Sequence, residues 1–423
     1  MTRPTLAIIG TGPAGLACGY FLHKQFAITL YEKNNYIGGH ANTVEIQGDA
    51  ETIKLDTAFV IFNDAAYPLF KRLLAELYVP SMTCPMSFGF QIKPAALEYT
   101  TRGLTYCFCE PRNLVNKRFV KMLVQIRRFR KEAIEVRKDD QYQNYSIADY
   151  VKERGYGDDF LHHFLVALVS VVWSLPPEKM LDYPIRALVD FLDNHGALQG
   201  VFGRKRWKTI VNGSRSYVDR LIAPFKDRIL MECGVRKVSR KKKALEITDS
   251  QGRKQKFDHV IFACHADQAL QILHEPTPLE RQLLSKFKYH PARVIVHTDP
   301  VVMPKNRTRW AGWNYLIDYD EDKNLNSSFT YYMNRLQKVS KRRHYFVTIN
   351  DPGRVNKEKI LKALEYEHPI FDVEAIKAQD KLHRLNQNGR TYFCGSYFKY
   401  GFHEDAFRSG LEVCRNLTGR KVW

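Results

Sequence analysis

The apolar positions of this chain fall into two kinds of pattern. Leu6 to Ile9 form a short unbroken apolar run, which suits a strand buried on both faces. Ala27 to Tyr31 read as a second such strand, closed by Glu32. Asp258-His-Val-Ile-Phe-Ala-Cys264 reads as a third, with small residues at its exit. Val294–His297 and Tyr345–Ile349 are further strand candidates. Helical spacing dominates elsewhere. Phe119, Met122, Leu123, Ile126, Phe129, Ala133 and Ile134 recur on one face of Lys117–Lys138, and Phe407, Leu411, Cys414 and Leu417 recur after His403. Residues 81–204 are mainly helical in pattern, and 276–384 mix strands with helices such as Lys357–Glu367. The most apolar stretch, Leu161 to Leu175, is interrupted by His162, His163, Ser170 and Trp173. It falls short of the roughly 18 apolar residues of a membrane span.

Between the first two strands lies Gly10-Thr-Gly12-Pro13-Ala14-Gly15. Strand, glycine turn, helix, strand and terminal acid make the fingerprint of a dinucleotide-binding βαβ unit. Gly10 permits the tight turn, Gly12 lets backbone approach a pyrophosphate, and Gly15 lets the helix lie against the strand. The helix that starts at Pro13 and Ala14 offers N–H groups and a partial positive charge to phosphate. Glu32 is placed to accept hydrogen bonds from ribose hydroxyls. A second small-residue loop, Gly38-Gly39-His40, follows it, with Thr43 nearby. At the other end of the chain, Thr391-Tyr-Phe-Cys-Gly395-Ser-Tyr-Phe-Lys-Tyr400-Gly401-Phe402-His-Glu-Asp405-Ala runs from a strand through a loop into a helix.

On these three motifs the sequence resembles the flavin-containing amine oxidase superfamily. The resemblance implies an α/β fold: a Rossmann-like FAD-binding domain with a discontinuous α+β substrate domain, and FAD held without a covalent link. It divides the chain into FAD-binding parts at 1–80, 205–275 and 385–423, and substrate-domain parts at 81–204 and 276–384. It assigns Gly10, Gly12, Pro13, Ala14, Gly15, Glu32, Lys33, Gly38, Gly39, His40, Val235, Gly395, Phe402 and His403 to the cofactor. Val235 would lie by the adenine, and the helix at His403 would point at the pyrimidine end of the flavin. His40 stands where the family usually has Arg, and Ser396 where it often has an acid. Phe402 takes the place of an aromatic residue facing the flavin. Arg293 is nearest the position of a strand lysine that holds a water near flavin N5, so that feature is altered here. Cys394 precedes the glycine and offers no covalent link.

Asp56–Asn63, Val172-Trp173-Ser174, Asn194-His195-Gly196, Trp207–Tyr217, His297-Thr-Asp299 and Met303-Pro304 resemble a narrower subgroup of NAD/FAD-binding proteins. That subgroup is similar to the flavoprotein half of plant cyclopropane fatty-acid synthases, which implies acyl-lipid chemistry. His195 is a catalytic candidate beside a structural reading. Trp173, Trp313, Tyr397 and Tyr400 are candidates for core or pocket wall.

Length and charge refine this reading. At 423 residues the chain is long enough for two domains. Its eight cysteines are scattered, only Cys107 and Cys109 lying close together, which fits reduced thiols rather than a metal or disulfide framework. No secretory signal precedes the first strand, so a cytoplasmic protein is expected. The net charge of +20 raises nucleic acid or an anionic membrane as partners. No nucleic-acid module is recognisable. The basic amphipathic segment Lys117–Lys138 fits either a core helix with a solvated basic face or peripheral contact with the inner face of a membrane. The expected activity is hydride removal from a C–N or C–C bond, of an acyl lipid or other small molecule. A classical amine oxidase, and an isomerase or non-catalytic flavoprotein serving a lipid-modifying enzyme, stand as alternatives.

Overall fold

The computed structural model describes residues 3–48, 51–101, 112–195, 198, 206–319, 325–387 and 389–423. Cys107, Cys109 and Gly196 lie outside the described residues.

Five strands form a wholly parallel sheet in the order β10 (Ile229–Leu230), β2 (Ala27–Tyr31), β1 (Thr5–Ile9), β14 (His259–Phe262) and β20 (Thr391–Phe393). Ile9 is level with Tyr31 on one side and Phe262 on the other, so three strands end together beside the glycine turn. Leu6, Ala7 and Ile8 are fully buried, as an apolar strand covered on both faces requires. Helix α1 (Pro13–Leu22) follows β1 and packs on the closing helix α7 (His403–Thr418).

A second sheet of seven strands runs β19 (Ile360–Ile370), β15 (Lys288–His297), β18 (Phe346–Ile349), β17 (Leu325–Tyr332), β16 (Trp313–Tyr319), β7 (Phe88–Ile92) and β8 (Leu97–Thr100). Its pairs are antiparallel except β16 with β7. The helix expected over Lys357–Glu367 is a short turn, Lys357–Lys359, running into strand β19. Its Lys, Leu, Ala and Glu residues favour a helix only weakly. Pairing with β15 from Lys288–Ile370 to His297–Ile360 outweighs that preference. Residues 81–101 likewise supply strands, β6 (Ser81–Thr83), β7 and β8, and the helical pattern holds only beyond them.

Helices α3 (Lys117–Val136), α4 (Val166–Trp173) and α5 (Ile185–Asn194) follow in chain order. The apolar stretch expected near 161–175 is one π turn, Leu161–Leu165, continuing into the buried α4. Strand β9 (Trp207–Ile210) pairs with β6 and with β5 (Phe62–Asn63), and α2 (Pro68–Glu76) lies between β5 and β6 in the chain. Helix α6 (Arg215–Ile222) follows β9 in the chain.

One buried carboxylate joins distant segments. Asp56, at the end of β4 (Thr52–Asp56), accepts hydrogen bonds from Ser214 N at 2.8 Å, Thr43 Oγ1 at 2.6 Å and Gln337 Nε2 at 2.7 Å. Its burial raises the carboxyl's pKa.

Candidate functional site

A cavity of about 800 Å³ opens at the carboxyl ends of β1, β2 and β14. This is where ligands bind in open parallel sheets. Gly10, Gly12, Pro13 and Ala14 line it. A Cβ built on Gly12 meets no protein atom within 4 Å, so that position borders open space. A Cβ on Gly15 would sit 2.0 Å from the Gly10 carbonyl oxygen, so Gly15 is off the wall and serves the close packing of helix on turn.

Glu32 is buried on the same wall. One carboxylate oxygen accepts from Thr11 N at 3.1 Å and from the Thr11 hydroxyl, and the other accepts from Asn34 N at 2.9 Å. The side chain is thereby fixed on the wall, which Lys33 and Val235 also line. Gly39 reaches the wall and Gly38 lies behind it, with its N–H bonded to the Thr11 carbonyl at 3.1 Å.

His40 lines the cavity and stacks on Tyr366 at 4.9 Å, with His368 at 5.4 Å and His265 at 6.4 Å. Burial and these neighbouring imidazoles push its pKa well below the ordinary histidine range. The ring is therefore neutral at the place where the family resemblance implies a cation. Its Nε2 is buried without a hydrogen-bond partner.

The closing segment supplies the facing wall. Gly395 donates its N–H to Ser409 Oγ at 2.9 Å, which ties the loop to α7. Phe402 and His403 line the cavity at the start of α7. His403 is stacked on Phe59 at 4.1 Å and shares a 2.7 Å hydrogen bond between Nε2 and the Tyr217 hydroxyl. Burial lowers its pKa to about 3, so it too is neutral, and its Nδ1 has no partner. The two acids after it are structural. Glu404 accepts from the N–H groups of Leu69 and Phe70, both at 3.0 Å, and so caps helix α2. Asp405 accepts from Phe402 N at 3.0 Å, and burial pushes its carboxyl up to about 7.

Away from the glycine turn, part of the cavity is an apolar chamber. Met86, Phe88, Leu168, Val172, Trp173, Phe191, Leu192, Trp207, Trp313, Tyr331 and Phe402 form it, with Ser174 and His195 among them. Phe402 stacks on Phe191 at 5.1 Å and lies 5.6 Å from Trp173. Trp173 donates from Nε1 to the Tyr400 carbonyl at 3.1 Å, so Tyr400 supports the wall without lining it. His195 donates from Nδ1 to the Phe191 carbonyl at 2.8 Å, with its ring 4.0 Å from that of Phe191. The cavity's acids, Glu32, Asp267, Glu365 and Glu367, come from the end of β2, the segment after β14, and β19. Among the described residues, the segments forming the chamber contribute none.

Arg293 is not brought to the site. It is exposed on β15 and absent from the wall, whereas Val294 is buried on it. Neighbouring strand residues point to opposite faces, so a one-residue difference decides this. Lys33 is the only lysine on the wall among the described residues, and it lies beside Glu32. Tyr397 and Trp313 both line the cavity, and each carries a buried polar atom without a partner.

The sequence reading missed several wall residues. His265 follows the exit of β14, a place the strand pattern does mark as ligand-facing. Tyr366 and His368 carried no such signal, because their strand read as a helix and an unassigned tail. Phe191, Leu168 and Tyr331 look like any core residue in a sequence.

Residues 8–77 match the NAD(P)-binding Rossmann-like domain. No curated protein sequence matches the chain. Among solved structures, putrescine oxidase bound to putrescine superposes with a TM-score of 0.68 at 13% identity, covering 99% of this chain and 99% of its own. A CLA-producing fatty acid isomerase from P. acnes gives 0.67 at 13% identity over 98% of each chain. Cyclohexylamine oxidase from Brevibacterium oxydans IH-35A gives 0.66 at 15% identity over 98% of this chain and 100% of its own. The chain has the fold of the flavin-containing amine oxidases, a parallel dinucleotide-binding sheet beside a separate mixed sheet.

Proposed function

We propose that the chain is an FAD-dependent oxidoreductase that takes a hydride from a largely apolar substrate, an acyl lipid in the first instance. The observation that carries this reading is the joining, in one cavity, of a dinucleotide cradle to an aromatic chamber that has no acid among its described lining residues. The cradle fits FAD on its own evidence: open space over Gly12, a fixed carboxylate at Glu32, and unpartnered buried nitrogens on His40 and His403. Gly10, Gly12, Pro13 and Ala14 would hold the diphosphate with the N-terminus of α1, and Gly15 would keep that helix in place. Glu32 and Lys33 would hold the ribose, and Val235 the adenine. Gly38, Gly39 and His40 would run along the diphosphate. Gly395, Phe402 and His403 would border the flavin, which is held non-covalently. When bound, FAD supplies the two-electron acceptor.

The chain's own residues then bind and orient. The aromatic wall of Trp173, Phe191, Trp207 and Phe402 excludes water and holds an apolar chain by burial. His195, fixed by the Phe191 carbonyl, is the chamber's imidazole and our candidate for moving a proton. A charged amine entering here would lose its hydration with no carboxylate among the described chamber residues to meet it. The relatives by fold point both ways, because they include a fatty acid isomerase as well as putrescine and cyclohexylamine oxidases. The amine reading rests on the aromatic faces, which attract a cation by about 0.5–2 kcal/mol.

Anaerobic mixing of the oxidised protein with unsaturated fatty acids, phospholipids, and primary or polyamines separates these readings. Flavin bleaching by lipids but not amines is expected. Bleaching by amines alone overturns the lipid reading. Product formed from lipid without net bleaching assigns isomerase chemistry instead.

A further inference from the structure

The outer face of helix α3 combines exposed cations with exposed aliphatic side chains. Its sequence, KRFVKMLVQIRRFRKEAIEV, carries seven cations against two acids. Phe119, Met122, Phe129, Ala133 and Val136 are buried and hold the helix to the body. The opposite stripe places Lys117, Val120, Lys121, Val124, Arg127, Lys131 and Ile134 along one exposed side, since residues three and four apart share a helix face; the acid on that side, Glu135, pairs with Lys138 at 3.3 Å. Val120 is 42%, Val124 63% and Ile134 46% exposed, so the stripe is aliphatic as well as basic.

The helix's other cations are committed. Arg118 pairs with Asp159 at 2.6 Å and Arg128 with Glu132 at 2.7 Å. Arg130 donates to the Leu198 carbonyl at 3.0 Å. Lys117, Lys121, Arg127 and Lys131 form no ion pair with any described residue. A purely solvated face does not need exposed valines between these cations. An anionic bilayer uses both, the charges against headgroups and the aliphatic groups in the acyl boundary.

Through its buried side the helix also adjoins the cavity's wall. Helix α3 packs on α5, and Arg137 just past its end pairs with Asp190 at 2.7 Å and Asp193 at 2.5 Å. Phe191, Leu192 and His195, on and just after α5, line the apolar chamber. Among the described residues no helix is long and apolar enough to cross a membrane, so the contact is superficial.

We infer that the exposed basic–aliphatic stripe of α3 docks the protein on an anionic lipid bilayer, with α5 between the bilayer and the chamber. The inference goes beyond the proposed activity and does not depend on it.

The test is sedimentation of the holoprotein with sucrose-loaded vesicles, either of phosphatidylcholine alone or of equal parts phosphatidylcholine and phosphatidylglycerol. Binding to the mixed vesicles only, falling with added salt, is the expected result. The K117Q/K121Q/R127Q/K131Q variant should bind at least about 100-fold more weakly, with unchanged circular dichroism because all four side chains are exposed. Val124→Trp should show a blue-shifted emission on the mixed vesicles. No sedimentation, equal binding to both vesicles, or full binding by the four-charge variant would overturn the inference. So would Val124→Trp emission that stays solvent-like on bound vesicles. Retention on a soluble polyanion without vesicle binding would also overturn it, pointing to an acidic macromolecule. None of these readouts involves turnover, so failure here leaves the substrate reading intact.

Discussion

Gly12→Val separates what the glycine turn does for the fold from what it does for a ligand. Gly12 has φ −66° and ψ 176°, an extended conformation open to any residue. Its Cβ would meet no protein atom within 4 Å, so a side chain can leave the backbone here into open space, and valine is expected to fold without displacing the chain. The cost to the protein without cofactor is confined to a poorer N-cap for α1, about 0.5–1 kcal/mol. For a chain of this size that is a shift in Tm of about 2 °C or less. The cost to the bound state is different in kind. The valine methyl groups fill the space over the N-terminus of α1, and loss of about 1,000-fold in FAD affinity, some 4 kcal/mol, is expected. Wild-type protein at a hundredfold excess of FAD over Kd should gain about 2.7 kcal/mol of stability, and the variant none. Thermal unfolding of stripped protein, with and without added FAD, reads both terms. Gly15→Ala is the contrast, because its Cβ would lie 2.0 Å from the Gly10 carbonyl oxygen and should destabilise the protein whether or not FAD is present. A Gly12→Val protein that gains as much from FAD as wild type would refute the placement of the diphosphate. A variant that unfolds without cofactor would refute the claim that the space there is empty of protein.

Glu32→Ala should weaken FAD binding by about 1–3 kcal/mol, read by titration of flavin fluorescence, since it removes a charged acceptor and leaves the N–H groups of Thr11 and Asn34 unmet. Glu404→Ala should lower stability by about 2–4 kcal/mol in urea, because two N–H groups of α2 lose their charged partner. The Asp405 carboxyl is raised by burial to about 7, so the folded state holds its proton more tightly than the unfolded chain. Its contribution to stability is therefore lost as pH rises from about 4 to about 7. Asp405→Asn, measured against wild type, should show a stability advantage that grows across that window and is flat above it; an advantage independent of pH would contradict the assignment. Phe402→Ala should reduce turnover by about 100-fold while retaining FAD, if the ring shapes the reacting face; unchanged turnover would remove it from the site.

The parts of this site that are legible in the sequence are those whose chemistry is local. Gly10, Gly12, Gly15 and Glu32 belong to one βαβ unit, so backbone demands and spacing reveal them together. The start of α7 at His403 is legible for the same reason, from acids in its first turn and apolar residues at helical spacing. What fails to show is set by distant pairing. Glu404 reads as an acid stabilising its own helix, but its oxygens cap α2, more than 300 residues earlier in the chain. Arg293 lies one residue from the buried Val294, a distinction that depends on which face of β15 meets the cavity. The strand at Ile360–Ile370 is hidden because its residues favour a helix locally and only its register with β15 decides otherwise. Cys18, Cys394 and Cys414, scattered in sequence, pack together as buried free thiols where α1, β20 and α7 meet. The aromatic chamber is invisible at the sequence level because Phe191 or Leu168 obeys the same periodicity whether it faces core or cavity.

The claim beneath every other one is that this cavity holds FAD. Acid precipitation of the purified protein, followed by chromatography and absorbance of the supernatant, measures it directly. The expected result is yellow protein that releases close to one FAD per chain into solution, with none left on the precipitate. Colourless protein that takes up no FAD on reconstitution, or flavin that stays with the precipitated chain, would contradict it.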